Sequence, residues 1–174
     1  MYLGDTMKKI IVFLFILTSI LLLSSNKKDV IPTNNSIRFR IVASSNTAKD
    51  QALKLNIRNE LLPELEYIEN NSNSLVSTRN NIRKEIPIMK EKLNKYPIDY
   101  SINFGQNYFP KKEYLGVNYP AQEYESLVIT LGDANGDNWW CMLFPPLCLI
   151  EAQKSELDSI NYEFYIHKVL AKYQ

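Results

Sequence analysis

From position 36 onward the apolar residues follow first one spacing and then another, and the switches mark out the elements of one domain. Ile37, Phe39, Ile41 and Ala43 alternate with Arg38, Arg40 and Val42, the period-two pattern of a strand with one buried face. Thr47, followed three residues later by Asp50, has the form of a capping box, so a helix starts there. Leu53, Ile57, Leu61 and Leu65 recur every four residues along it, and Pro63 is expected to kink or shorten it near its end. Beyond the polar break Asn70-Asn71-Ser72-Asn73, a second helical stripe runs through Leu75, Ile82, Ile86, Met89 and Leu93. Its opposite face carries Arg79, Arg83, Lys84 and Lys90, and Tyr96-Pro97 ends it.

The period then returns to two. Ile98, Tyr100, Ile102 and Phe104 alternate with Asp99, Ser101 and Asn103, which predicts a strand. One short edge strand is expected around Tyr114 to Val117, and a further strand at Leu127, Ile129 and Leu131. Asn135-Gly136, lying between two apolar runs, predicts a hairpin into a last strand at Asn138 to Phe144. Leu157, Ile160, Phe164, Val169 and Tyr173 predict a C-terminal helix. A strand, two helices and then a run of strands imply an α+β fold, with both helices packed on one face of a mainly antiparallel sheet.

Ahead of the domain, Lys8-Lys9 precede an apolar run from Ile10 to Leu23, followed by Ser24-Ser25-Asn26 and then Lys27-Lys28. That is the charged, apolar and small-polar sequence of an export leader. The run holds 14 residues, fewer than the roughly 20 that span a bilayer comfortably, which favours a cleaved signal over a retained anchor. No A-x-A site follows it, so both outcomes stay open, and Met7 is an alternative start to Met1. The organisation is therefore a signal peptide or signal anchor over residues 1–26, a linker over 27–35, a globular domain over 36–150 and a helical extension over 151–174. The expected location is outside the cytoplasm, with membrane contact through the leader alone.

Lys and Arg number 20 against 19 Asp and Glu, and removing the leader's Lys8, Lys9 and Asp5 leaves a neutral domain. A neutral surface does not displace the counterions of nucleic acid, so that partner is set aside. No cofactor is implied, and no metal either, since zinc needs four ligands where this chain has two cysteines and one histidine. Asp133, Asn135 and Asp137 resemble a calcium loop, but Asn138 and Phe144 stand where that loop requires Gly and a bidentate Glu.

Cys141 and Cys148 flank Pro145-Pro146, which interrupts the strand and allows Cys148 to fold back. Outside the cytosol an even pair reads as a disulfide, contributing about 2.5 kcal/mol for so short a loop; two buried thiols are the other reading. Catalysis would have to pair one of these cysteines with His167, and no nucleophile motif supports it. Trp139 and Trp140 must face opposite sides of a strand, so one of them beside Phe144-Pro145-Pro146 is a candidate protein-binding anchor, unless both are covered. Arg38 and Arg40 share the outward face of the first strand. They offer bidentate carboxylate recognition or, more plainly, an ion pair with Asp50 or a helix glutamate.

The segment Ile37 to Asn46 with Asp50-Gln51-Ala52-Leu53-Lys54, then Tyr119-Pro120-Ala121, Glu123-Tyr124 and Asn138-Trp139-Trp140-Cys141-Met142-Leu143-Phe144-Pro145-Pro146-Leu147-Cys148, resembles the stage II sporulation protein R family. Gln122 and Ser126 depart from the family's glycine and alanine. The resemblance implies an exported signalling ligand of sporulating bacteria, acting in the space between forespore and mother-cell membranes. Its implied partner is a membrane-embedded aspartic protease of the mother cell, which matures the precursor of sigma-E. The candidate contact residues are then Arg38, Arg40, Asn138, Trp139, Trp140, Phe144, Pro145 and Pro146. A thiol or cell-wall hydrolase using His167 and a structural protein of the spore envelope are the alternatives.

Overall fold

The computed structural model describes residues 4–24, 35–114, 117–152 and 168–169. Helix α1 (Asp5–Ser24) precedes β1 (Ile37–Val42), α2 (Ala48–Asn70), α3 (Leu75–Leu93) and β2 (Tyr100–Phe109). Then come β3 (Lys112–Tyr114), β4 (Val117–Tyr119), β5 (Gln122–Leu131), β6 (Asn138–Phe144) and a short α4 (Cys148–Ala152). In α1 the apolar side chains from Ile10 to Ile16 are exposed and none belongs to the core. Among the described residues no helix is long and apolar enough to cross a membrane. Most of the predicted C-terminal helix, His167 included, lies outside the described residues.

Four strands form one sheet in the order β2-β5-β1-β6, antiparallel except where β1 runs parallel to β5. The fold is α+β, as the periodicity predicts. Strand alternation sends Ile37, Phe39 and Ile41 of β1, Leu127 and Ile129 of β5, and Cys141 and Leu143 of β6 into one core. Ile57, Leu61, Leu65 and Ile68 of α2 and Ile82, Met89 and Leu93 of α3 fill it from the other side. The amide N–H of Asp50 donates to the Thr47 hydroxyl at 3.3 Å and so starts α2, but only this half of the expected capping box forms, since the Thr47 N–H donates to the Ser45 hydroxyl rather than to Asp50.

Three local expectations change. Pro63 lies inside α2, which continues to Asn70 because Leu65 and Ile68 beyond it are fully buried and hold the last turns to the core. The single edge strand is instead two short strands, β3 and β4, paired only with each other. Asn135-Gly136 makes no hairpin, because β1 lies between β5 and β6. The loop crosses the end of β1, where Asn135 and Gly136 donate their N–H groups to the carbonyls of Ser44 and Ala43 at 3.0 and 2.9 Å. Gly136 is needed for that close approach, since a Cβ there would run into the Ser45 carbonyl.

Candidate partner-binding site

With Phe39 committed to the core, Arg38 and Arg40 project from the opposite face of the sheet, as alternation requires. That face is not open, however. Arg38 is 3% exposed, enclosed by Phe109 of β2, Tyr119 of β4, Tyr124 of β5 and Trp140 of β6. Its guanidinium carbon lies 3.3 Å from the Tyr124 ring centroid, 4.9 Å from Tyr119, 5.3 Å from Phe109 and 5.7 Å from Trp140. Arg40, half-buried, stands 4.3 Å from the Phe109 centroid. Burial pulls both guanidinium groups below their ordinary pKa. Among the described residues, Arg38 Nε and Nη2, Arg40 Nε and the Tyr119 hydroxyl are buried without a hydrogen-bond partner. Each such donor costs about 1–3 kcal/mol relative to solution. The expected ion pair with Asp50 does not form, because Asp50 instead accepts from the Ser45 hydroxyl at the start of α2.

On β6 the alternation splits the tryptophans as expected, yet leaves neither fully exposed. Trp139 turns to the helix side, half-buried, edge-on to Phe39 at 6.0 Å and 5.4 Å from the Arg58 guanidinium. Trp140 is 7% exposed on the other face, edge-on to Tyr119 with Lys112 over its ring. Phe144 and Pro145 are also buried, so they belong to the core rather than to a contact patch. Helices cover one face of the sheet, and the β3-β4 hairpin covers the other around Arg38, leaving Ser101 and Asn103 of β2 exposed and Arg40 half-exposed. Of the candidates, Asn138, Trp139, Pro146 and Arg40 retain solvent access.

Pro145-Pro146 turns the chain back, the Leu147 N–H donating to the Met142 carbonyl at 2.9 Å, and Cys141 and Cys148 are joined with their Cα atoms 4.9 Å apart. The thiol that a Cys-His mechanism requires is consumed by this bond. Among the described residues no group of three His, Cys, Asp or Glu could hold a metal. Asp137 is occupied structurally, its N–H donating to Asn46 and its carbonyl accepting from the buried Lys54 Nζ at 2.9 Å.

Glu69 is the residue that pattern reading misses. At 8% exposure it accepts the backbone N–H groups of Cys148 and Leu149, tying the end of α2 to the disulfide loop. Burial pushes its carboxyl up to about 7, against the pull of those N–H donors. A surface cavity of about 530 Å³ lies beside it, walled by Asn73, Pro146 and Ile150. The signal was present: stepping four residues on from Ile57, Leu61 and Leu65 lands on Glu69, a carboxylate on an apolar stripe.

The family model described as Stage II sporulation protein R matches residues 33–154, from just ahead of β1 through α4. A curated relative, the stage II sporulation protein R of Bacillus subtilis (strain 168), is 40% identical over 139 residues, covering 76% of this chain. The chain spans 62% of that relative's length. No solved structure matches it. With the match running from residue 33 to residue 154, the chain belongs to the stage II sporulation protein R family, a family of sporulation proteins.

Proposed function

We propose that this domain is an exported signalling ligand of sporulation, which binds and activates a membrane-embedded aspartic protease that matures the sigma-E precursor. The observation that carries the reading is the Cys141–Cys148 bond, which uses both cysteines of the chain. A bond of this kind persists in oxidising compartments, and here it sits in a chain whose leader has the basic and apolar order of an export signal. Family membership supports the role in sporulation. The destination is then the space between the forespore and mother-cell membranes, reached by release from the leader or while still held by it.

The contact surface in this reading is the rim of the edge strand β6, where Asn138 and Trp139 are half-exposed beside Pro146. The test is co-production of the exported chain with the protease and the sigma-E precursor in a host lacking all three, with precursor cleavage as the readout. Trp139→Ala should abolish cleavage while the protein still unfolds cooperatively. Because Trp139 also packs on Phe39, Asn138→Lys serves as a second variant that adds charge at the rim without opening the core. Full cleavage with both variants would refute this surface. Recovery of the exported chain with two free thiols would refute the disulfide on which this argument rests.

A further inference from the structure

The helix-free face of the sheet holds two cations, some of whose donors find no partner among the described residues. Arg38 and Arg40 share the Phe109 ring, so two like charges stand close together in a largely apolar setting. The rings recover part of the desolvation by cation–π attraction. A ring centroid is no substitute for an acceptor in the guanidinium plane, where the N–H bonds point. Hence Arg38 Nε and Nη2 and Arg40 Nε remain unpaired, with the Tyr119 hydroxyl as a fourth orphan nearby. Asp50 accepts from Ser45, and Glu125 holds Arg79 at 2.7 Å on the opposite face, so neither answers these donors.

From this we infer that Arg38, Arg40 and the Tyr119 hydroxyl form a receptor for one carboxylate, supplied by an acidic side chain of a partner protein. That the carboxylate comes from a partner rests on the reading of the domain as a protein ligand. The chemistry favours a carboxylate. A guanidinium fork matches its planar pair of oxygens, and a single negative charge balances a site walled by flat rings. Phosphate, with more charge and a third oxygen to satisfy, would meet aromatic carbon where it needs donors. Arg40, the half-exposed member, gives the side of approach.

The test follows the Nε–Hε resonances of Arg38 and Arg40 in the ¹⁵N-labelled whole chain in detergent. Glutamate blocked at both ends, glutamine blocked in the same way and inorganic phosphate are titrated separately. The expected result is a saturable shift of both resonances with glutamate and none with glutamine, and Arg40→Gln should weaken apparent affinity at least about tenfold. Arg38→Met, which replaces a buried charge with an apolar chain of similar length, should abolish the shift without lowering the urea midpoint. An equal response to glutamine, a response to phosphate alone, or no response to any probe would each overturn the proposal. The titration contains no protease, so its outcome is independent of the cleavage assay.

Discussion

Glu69→Gln should flatten the dependence of stability on pH. The Glu69 carboxyl is buried at the junction of α2, α4 and the disulfide loop, and burial raises it from the ordinary 4.5 to about 7. A carboxyl whose folded pKa lies above its unfolded one binds its proton more tightly in the folded domain. Its contribution is therefore complete below pH 4.5 and is lost as the pH rises through 7. The interval from 4.5 to about 7 corresponds to about 3 kcal/mol. Glutamine has no proton to lose, so the variant lacks this slope. It keeps one oxygen for the Cys148 N–H and gives up the other at Leu149, at a constant cost of about 1 kcal/mol. Urea unfolding without reductant, followed by tryptophan fluorescence at a series of pH values, measures both curves. Glu85, also raised by burial, contributes equally to both proteins and drops out of the difference. If the two curves run parallel from below pH 4.5 to above pH 7, Glu69 does not titrate in this window and the argument from burial fails.

The disulfide and the loop glycine give two further tests. Replacing both Cys141 and Cys148 with serine should cost about 2.5 kcal/mol in urea unfolding, and reductant should lower the parent by a similar amount while leaving the variant unmoved. Gly136→Ala should cost about 2 kcal/mol, because the new Cβ meets the Ser45 carbonyl. Gly105→Ala, with nothing within 4 Å of the added carbon, should change stability by about 0.5 kcal/mol or less. Equal losses in the two alanine variants would refute the close-approach account of Gly136.

What the sequence made legible is what depends on near neighbours. The alternation in Ile37 to Val42 gives β1 and its buried side, and the four-residue stripe with its Thr47 cap gives α2. What it concealed depends on contacts across the chain. Asn135-Gly136 carries a local hairpin signal, yet β1, some 90 residues earlier, wedges between the strands it would have joined, and the glycine answers to Ser45 instead. Pro63 is expected on local grounds to kink or shorten α2, and burial of Leu65 and Ile68 carries the helix on to Asn70. The capping box of α3, in which Ser74 accepts from the Ser77 N–H while the Ser77 hydroxyl answers the Ser74 N–H, departs from the Ser/Thr-x-x-Glu/Gln form and so carries no such signal in the sequence.

The arginines of β1 show the same division more sharply. Two charged residues at alternate positions read as the wet side of a strand, and β1 alone supports nothing else. Register supplies the missing term. Ser126 and Met142 flank Arg38, and Val128 and Trp140 flank Arg40, so the neighbours of both charges are small or apolar. Phe109, Tyr119 and Tyr124 then close over them from three other strands. A face that one strand writes as polar and its neighbours write as aromatic cannot be both solvated and packed. The fold resolves the conflict by setting the guanidinium groups against rings, which accommodates the charge but leaves Arg38 Nε and Nη2 and Arg40 Nε without a partner among the described residues. A surface arginine would have answered them with water and a structural one with a carboxylate of its own chain. Those unanswered donors are what separate Arg38 and Arg40 from the ion pairs of Arg79 and Lys92 elsewhere in the domain.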